Sequence, residues 1–328
     1  MKSRTCLIPL LAAMTALAPA GCSRDNHRQS GQPVKVAAGI PPVADIVRRI
    51  GGDHVEVRSI LPAQASPHSY SPTTKQLVWV ESAHLAVLLE TPFEQVLADK
   101  LGGAVESLHI LRPAGGPEQD IQQADHDGHD GHDEHDDHDG HDQQDHQGHD
   151  HHDHHGHDHG DGDPHLWLSP RAMRDTIAPA IAAELSELAP EFADVFQANL
   201  KALQQQLTEL DQRIAEQLAS LTGRTFYTYH AAFGHFAQAY DLKQKAIEIG
   251  GRSPSQRRVN ELIAQARADD VQVIFVQKQF SAPAATTIAQ AIDGVVVELD
   301  PLSGDYIEMM TDLAKKLETN LAGRGEDD

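Results

Sequence analysis

The sequence predicts an α/β protein of two lobes, each a four-stranded parallel sheet flanked by helices, joined by one long rigid helix. Three observations predict it. Short β-rich runs alternate with helical stretches over residues 34–111, and the same alternation returns over residues 225–321. Between the two lies a stretch, residues 191–222, with no Pro and no Gly.

In the first half, residues 34–40, 55–61, 85–89 and 107–111 read as strands. Helices are expected at 43–50, at 73–82 behind Ser71-Pro72, and at 93–101. Four strands with helical connections are the pattern of a parallel sheet. In the second half the strands are 225–229, 245–249, 271–276 and 295–299, and the helices 232–240, 255–268, 284–292 and 306–321. A helical region from 171 to 221 connects the halves, interrupted at Pro179 and Pro190. Within it Phe192, Val195, Phe196, Leu200, Leu203, Leu207, Leu210, Ile214 and Leu218 recur at helical spacing. About thirty residues of helix span roughly 45 Å, enough to run along both lobes. The stripe is too short and irregular for a coiled-coil stem, so a monomer is expected.

The resulting division is a signal peptide at 1–21, a tether at 22–33 and a first lobe made of 34–117 plus 163–188. A disordered His/Asp-rich loop at 118–162, a linker helix at 190–221 and a second lobe at 222–323 complete it. Lys2 and Arg4 precede an apolar run at 7–17, the form of an export signal, and Ala20-Gly21-Cys22 resembles the end of a bacterial lipobox. Cys22 is the expected lipidation site, with Pro19 standing where that motif usually has Leu; Cys6 falls in the segment to be removed. No disulfide within the mature chain is then possible. A periplasmic protein, exported and anchored to a membrane through Cys22, is expected.

Residues 118–163 contain 17 Asp plus Glu and no Lys or Arg, so they carry most of the formal charge of −23. The rest of the chain has no basic stripe, which disfavours nucleic acid as a partner. The same region holds 14 of the 22 histidines: His126, His129, His132, His135, His138, His141, His146, His149, His151, His152, His154, His155, His157 and His159. Neutral imidazole is the commonest protein ligand for zinc, copper and nickel, and the segment 125–163, without apolar residues, has nothing to bury against its ordering entropy. These histidines are expected to be auxiliary, weak zinc sites.

Eight histidines lie elsewhere: His27, His54, His68, His84, His109, His165, His230 and His235. In open α/β sheets ligands collect beyond the carboxyl ends of the strands. His68 follows the second strand, His165 precedes a helix, His230 ends the first strand of the second lobe and Asp300 ends its last. Three imidazoles and a carboxylate suffice for a tetrahedral zinc site. His54, His84 and His109 read as structural, and His235 as an auxiliary candidate pointing away from His230.

Ser66-Pro67-His68, Asp163-Pro164-His165-Leu166-Trp167-Leu168-Ser169-Pro170 and Tyr229-His230-Ala231-Ala232-Phe233-Gly234 resemble the metal motifs of zinc and manganese substrate-binding proteins of bacterial ABC transporters. Gly251-Arg252-Ser253-Pro254-Ser255, the run from Val276 to Ser281, and Leu299-Asp300-Pro301-Leu302 add to the resemblance, and the His-rich insertion before the second motif is typical of its ZnuA-like branch. The resemblance implies one metal between the lobes, held by His68, His165 and His230, with Asp300 or water completing the set. It also implies delivery to an ABC permease driven by a cytoplasmic ATPase. Pro67 stands where some zinc members have Glu, and His230 where many manganese binders have a carboxylate; imidazole in place of oxygen favours zinc. Ligands must be deprotonated to bind, so affinity is expected to fall through about pH 6–7. An enzyme is not expected: a zinc hydrolase would need a general base, and the chain has no H-E-x-x-H helix. The alternatives in the same chemistry are a zinc storage or chaperone protein and a manganese-binding homologue.

Overall fold

A computed structural model describes residues 28, 30–101, 108–113, 163–248 and 253–322. The signal, Cys22, His27, the 14 tract histidines and Gly251-Arg252 lie outside the described residues.

The first lobe runs β1 (Val34–Ala38), α1 (Pro41–Gly51), β2 (Val55–Ser59), α2 (Thr74–Glu81), β3 (Leu85–Val87), α3 (Pro92–Leu101) and β4 (His109–Leu111). Its strands form a parallel sheet in the order β2-β1-β3-β4. A helical hairpin follows: α4 (Pro170–Ala172), a π-helical turn (Met173–Ile177) and α5 (Ala178–Leu188), then the long α6 (Ala193–Leu218). The second lobe runs β5 (Thr225–Thr228), α7 (Gly234–Ala239), β6 (Lys243–Ala246), α8 (Gln256–Ala268), β7 (Val273–Gln277), α9 (Pro283–Ala291), β8 (Val295–Leu299) and α10 (Tyr306–Leu321). Its parallel sheet has the matching order β6-β5-β7-β8. The predicted fold class is the observed one.

The differences are local. The edge strand β6 begins two residues earlier than its apolar run, at Lys243, because pairing with Thr225–Thr228 sets its span and an edge tolerates Lys. Pro179 does not break the helical hairpin. It sits at the start of α5, directly after the wider π turn, where its missing N–H and its ring are accommodated. Of the predicted stripe on α6, Phe196, Leu200, Leu203, Leu207, Leu210, Ile214 and Leu218 are buried, whereas Val195 is exposed and Phe192 lies in the 3-10 turn before the helix.

The long helix packs on α1 and α5 of the first lobe and on α10 of the second. One continuous hydrophobic core therefore runs from Val36 through Leu207 to Leu313. A smaller cluster, with Ile274 and Ile288, fills the other face of the second sheet. Asp211, buried on α6, accepts hydrogen bonds from Arg171 Nε at 3.0 Å and Tyr240 Oη at 3.0 Å, which ties both lobes to the connecting helix. No helix among the described residues is long and apolar enough to cross a membrane.

Candidate metal centre

Each of the three motif histidines is delivered by a different kind of backbone. His68 lies in the segment between β2 and α2. That segment is closed at its base by Gln76, whose Oε1 accepts from Thr73 N at 2.9 Å and Tyr70 Oη at 2.7 Å and whose Nε2 donates to Ile60 O at 2.6 Å. The Thr73–Gln76 pair is also a capping box that starts α2. His165 enters a 3-10 turn (Leu166–Leu168), with its backbone N donating to Asp163 Oδ1 at 3.0 Å. His230 sits just past β5, clamped by Gln277 at the end of β7: His230 N donates to Oε1 at 3.2 Å and Nε2 donates to His230 O at 2.7 Å.

The three rings converge between the lobes. A ligand nitrogen from each of His68, His165 and His230 can be chosen so that all lie within 4.8 Å of one another. His165 and His230 are buried and approach Nε2 to Nε2 at 3.2 Å. Two ligands on a tetrahedral zinc with bonds of 2.0–2.1 Å stand about 3.3 Å apart, so this spacing suits such an ion.

Behind each buried ring is a carboxylate. His165 Nδ1 is 2.6 Å from Asp163 Oδ1, and His230 Nδ1 is hydrogen-bonded to Glu248 Oε1. A carboxylate only accepts, so each Nδ1 carries the proton and each Nε2 turns a lone pair inward. Burial pushes the Asp163 carboxyl up, but the hydrogen bonds and charge of His165 outweigh it and hold it below the usual range. Gly234 makes room: a Cβ there would come within 2.5 Å of Asp163 Oδ2. Glu248 is brought up because β6 continues alongside β5, with Glu248 N donating to Tyr229 O at 3.0 Å.

Electrostatics favour neutral rings. Burial, then the neighbouring His230 and His165, push the His68 imidazole down to about 3, and burial also lowers His165 against the opposing pull of Asp163. His68 Nε2 is buried with no hydrogen-bond partner among the described residues. Phe280 covers the site, stacked on His230 with ring centroids 5.0 Å apart. Converging imidazole lone pairs, a buried orphan nitrogen and an apolar cover fit a borderline cation, and the donor set is nitrogen throughout.

The other candidates stand elsewhere. Asp300 is outside the group of converging ligand atoms; its Oδ1 accepts from Gln279 Nε2 at 2.9 Å and Leu302 N at 3.3 Å, and Oδ2 is 3.7 Å from Lys278 Nζ. His54 stacks on Phe192, His84 Nδ1 accepts from Lys35 N, and His109 pairs with Glu184. His235 Nε2 reaches Asp163 O at 2.8 Å, steadying the second motif instead of joining the cluster. Sequence reasoning assigned no role to Glu248 or Gln277, although Gln277 lies in the run from Val276 to Ser281. The available signal was their position, within or next to the predicted strands 245–249 and 271–276; the strand order that brings them to His230 was not part of that reading.

These features define a two-lobed α/β binding protein with an imidazole site between its lobes. The chain belongs to the ZnuA family, the periplasmic component A of zinc-uptake complexes, whose profile it matches over residues 36–320. It is a family of metal-binding transport receptors, not of enzymes. The zinc-binding lipoprotein AdcA of Streptococcus pneumoniae strain R6 is 27% identical over 305 residues, which are 89% of this chain and 54% of AdcA. The chain thus spans about half the length of that relative. The high-affinity zinc uptake system protein ZnuA of Bacillus subtilis is 26% identical over 87% of this chain and 85% of its own. A crystal structure of ZnuA superposes with a TM-score of 0.71 at 28% identity, covering 88% of this chain and 99% of the other.

Proposed function

We propose that this chain is a high-affinity receptor that takes up one Zn²⁺ through His68, His165 and His230 and passes it to an ABC permease powered by a cytoplasmic ATPase. The observation that carries the reading is the inward convergence of the three imidazoles, two of them fixed from behind by Asp163 and Glu248. Three neutral nitrogen ligands favour zinc over manganese, and water takes the fourth position while Asp300 is engaged by Gln279 and Lys278. The 14 histidines of the Asp-rich tract are assigned further, weaker zinc binding from their composition alone. Export, with lipidation at Cys22, would put the receptor at the membrane surface facing its permease.

The test is a competition titration of Zn²⁺ and Mn²⁺ against a chromophoric chelator, on the protein with residues 120–160 removed. One tight zinc equivalent, lost in His230→Ala and not displaced by manganese, supports the receptor reading. A stoichiometry near zero transfers metal binding to the tract and refutes it.

A further inference from the structure

We propose that Gln279 is a latch: it holds the His68-bearing segment against the second lobe and so governs how fast bound metal leaves. This rests on the zinc-site reading above. Gln279 lies just beyond β7, and its Nε2 makes two hydrogen bonds at once. One goes to Ala63 O at 3.0 Å, in the segment between β2 and α2; the other goes to Asp300 Oδ1 at 2.9 Å, after β8. Asp300 is itself fixed by Leu302 N, so the carboxamide spans from a firm point on the second lobe to the segment that carries His68.

The three imidazoles are not equally anchored. His230 is part of the second lobe. His165 is fastened to it through its neighbour: Trp167 Nε1 donates to Pro301 O at 2.8 Å, and Tyr306 Oη donates to Trp167 O at 2.8 Å. The first lobe is also joined there through α1, where Asp45 Oδ2 accepts from Tyr306 N at 3.0 Å. His68 differs. No carboxylate hydrogen-bonds its ring among the described residues, and the hydrogen bonds that tie its segment to the rest of the first lobe lie toward its two ends, at Ile60 and Leu61 and at Tyr70 and Thr73. Across to the second lobe, the one hydrogen bond made by residues 60–73 among those described is the Gln279–Ala63 bond.

A tetrahedrally held ion is released by shedding one ligand first, and the least constrained ligand goes most readily. His68 is that ligand, and its withdrawal carries Ala63 away from Gln279. The latch therefore acts on the rate of opening and leaves the convergence of the other two rings untouched.

The experiment uses the full-length protein loaded with one equivalent of Zn²⁺, with release to excess chelator followed by stopped flow. Gln279→Met keeps the length of the side chain and removes both Nε2 bonds, of which only the one to Ala63 O reaches the His68 segment; release is expected to be about three- to tenfold faster, as for the loss of that one bond. Gln279→Leu also lacks the donor and adds no charge beside the three histidines; it should release at the same raised rate. Association rate and the thermal midpoint of the zinc-free protein should match wild type in both. Wild-type release rates in both variants, with the tight equivalent intact, overturn the latch. So does a fall in the zinc-free midpoint that accounts for the faster release, since that marks a structural strut. A wild-type protein with no tight equivalent overturns the zinc-site reading and the latch with it.

Discussion

Asp163 Oδ1 receives both the backbone N–H of His165, at 3.0 Å, and its ring Nδ1, at 2.6 Å. Two bonds from one residue to one oxygen fix backbone and ring together, so the tautomer and the direction of Nε2 are set before any ligand arrives. Glu248 does the same for the ring of His230 from a separate strand. Asp163→Asn and Glu248→Gln should each weaken zinc binding about 10–100-fold while leaving one equivalent bound. Chelator competition reads this directly; unchanged affinity in both would remove the carboxylates from the binding chemistry.

The pH dependence should be shallower than three ordinary histidines would give. An imidazole titrating at 6.5 costs about a factor of ten in affinity by pH 5.5, or about a thousandfold for three. His68 is held neutral down to about 3 by burial and its neighbours, and His165 is shifted the same way. Zinc affinity measured from pH 7.5 to 5.5 should therefore fall by well under a thousandfold. The sign for the zinc-free fold follows from the same groups. The unfolded chain takes up protons near pH 6.5 that the folded state refuses, so stability present above that pH is lost as pH falls toward 3. His68→Gln should flatten that loss in acid-unfolding curves.

Asp300→Asn separates a ligand from a support. The amide keeps an oxygen for Gln279 Nε2 and Leu302 N and gives up only the 3.7 Å pair with Lys278, which is half-exposed and worth little. Zinc affinity within about threefold of wild type is expected, in line with one or two weak contacts. A drop of tenfold or more would make Asp300 the fourth ligand.

Glu94 offers a stability test away from the metal. It is fully buried in the first lobe; burial raises its carboxyl to about 7, although hydrogen bonds from Thr91 oppose the shift. Gly39 permits it, since a Cβ there would fall 1.6 Å from Glu94 Oε1. A folded value above the unfolded one means that stability is fullest in acid and declines as pH rises through about 7. Glu94→Gln mimics the neutral acid. Its stability relative to wild type should rise between pH 4.5 and 8 by on the order of 3 kcal/mol, read from urea unfolding midpoints. A constant difference across that range would mean that Glu94 ionises normally.

Much of this was legible in the chain because parallel strands and the α6 stripe write themselves as periodic apolar patterns. The strand of residues 295–299 and the helix of 306–321 have the bounds the pattern predicts. Strand β6 was displaced because an edge strand is chosen by its partner's register, not by its own hydrophobicity. The three histidines could be picked out by their positions at strand ends and helix entries. Their supports could not: Glu248 and Gln277 meet His230 only after β5, β6 and β7 are laid side by side, and that juxtaposition is a property of strand order. Asp300 had the right residue type at the right strand end, but its oxygens are taken by Gln279, Lys278 and Leu302, neighbours that sequence spacing does not reveal.

The core that runs without a break from Val36 to Leu313 through the long helix has a consequence for how the molecule comes apart. Neither lobe can expose its inner face without also stripping α6, so the two should melt as one cooperative unit, with a single calorimetric transition. A cation held by three side chains drawn from both lobes would then protect the whole chain equally. The zinc-loaded and zinc-free forms should differ by one displaced peak, not by the loss of a shoulder.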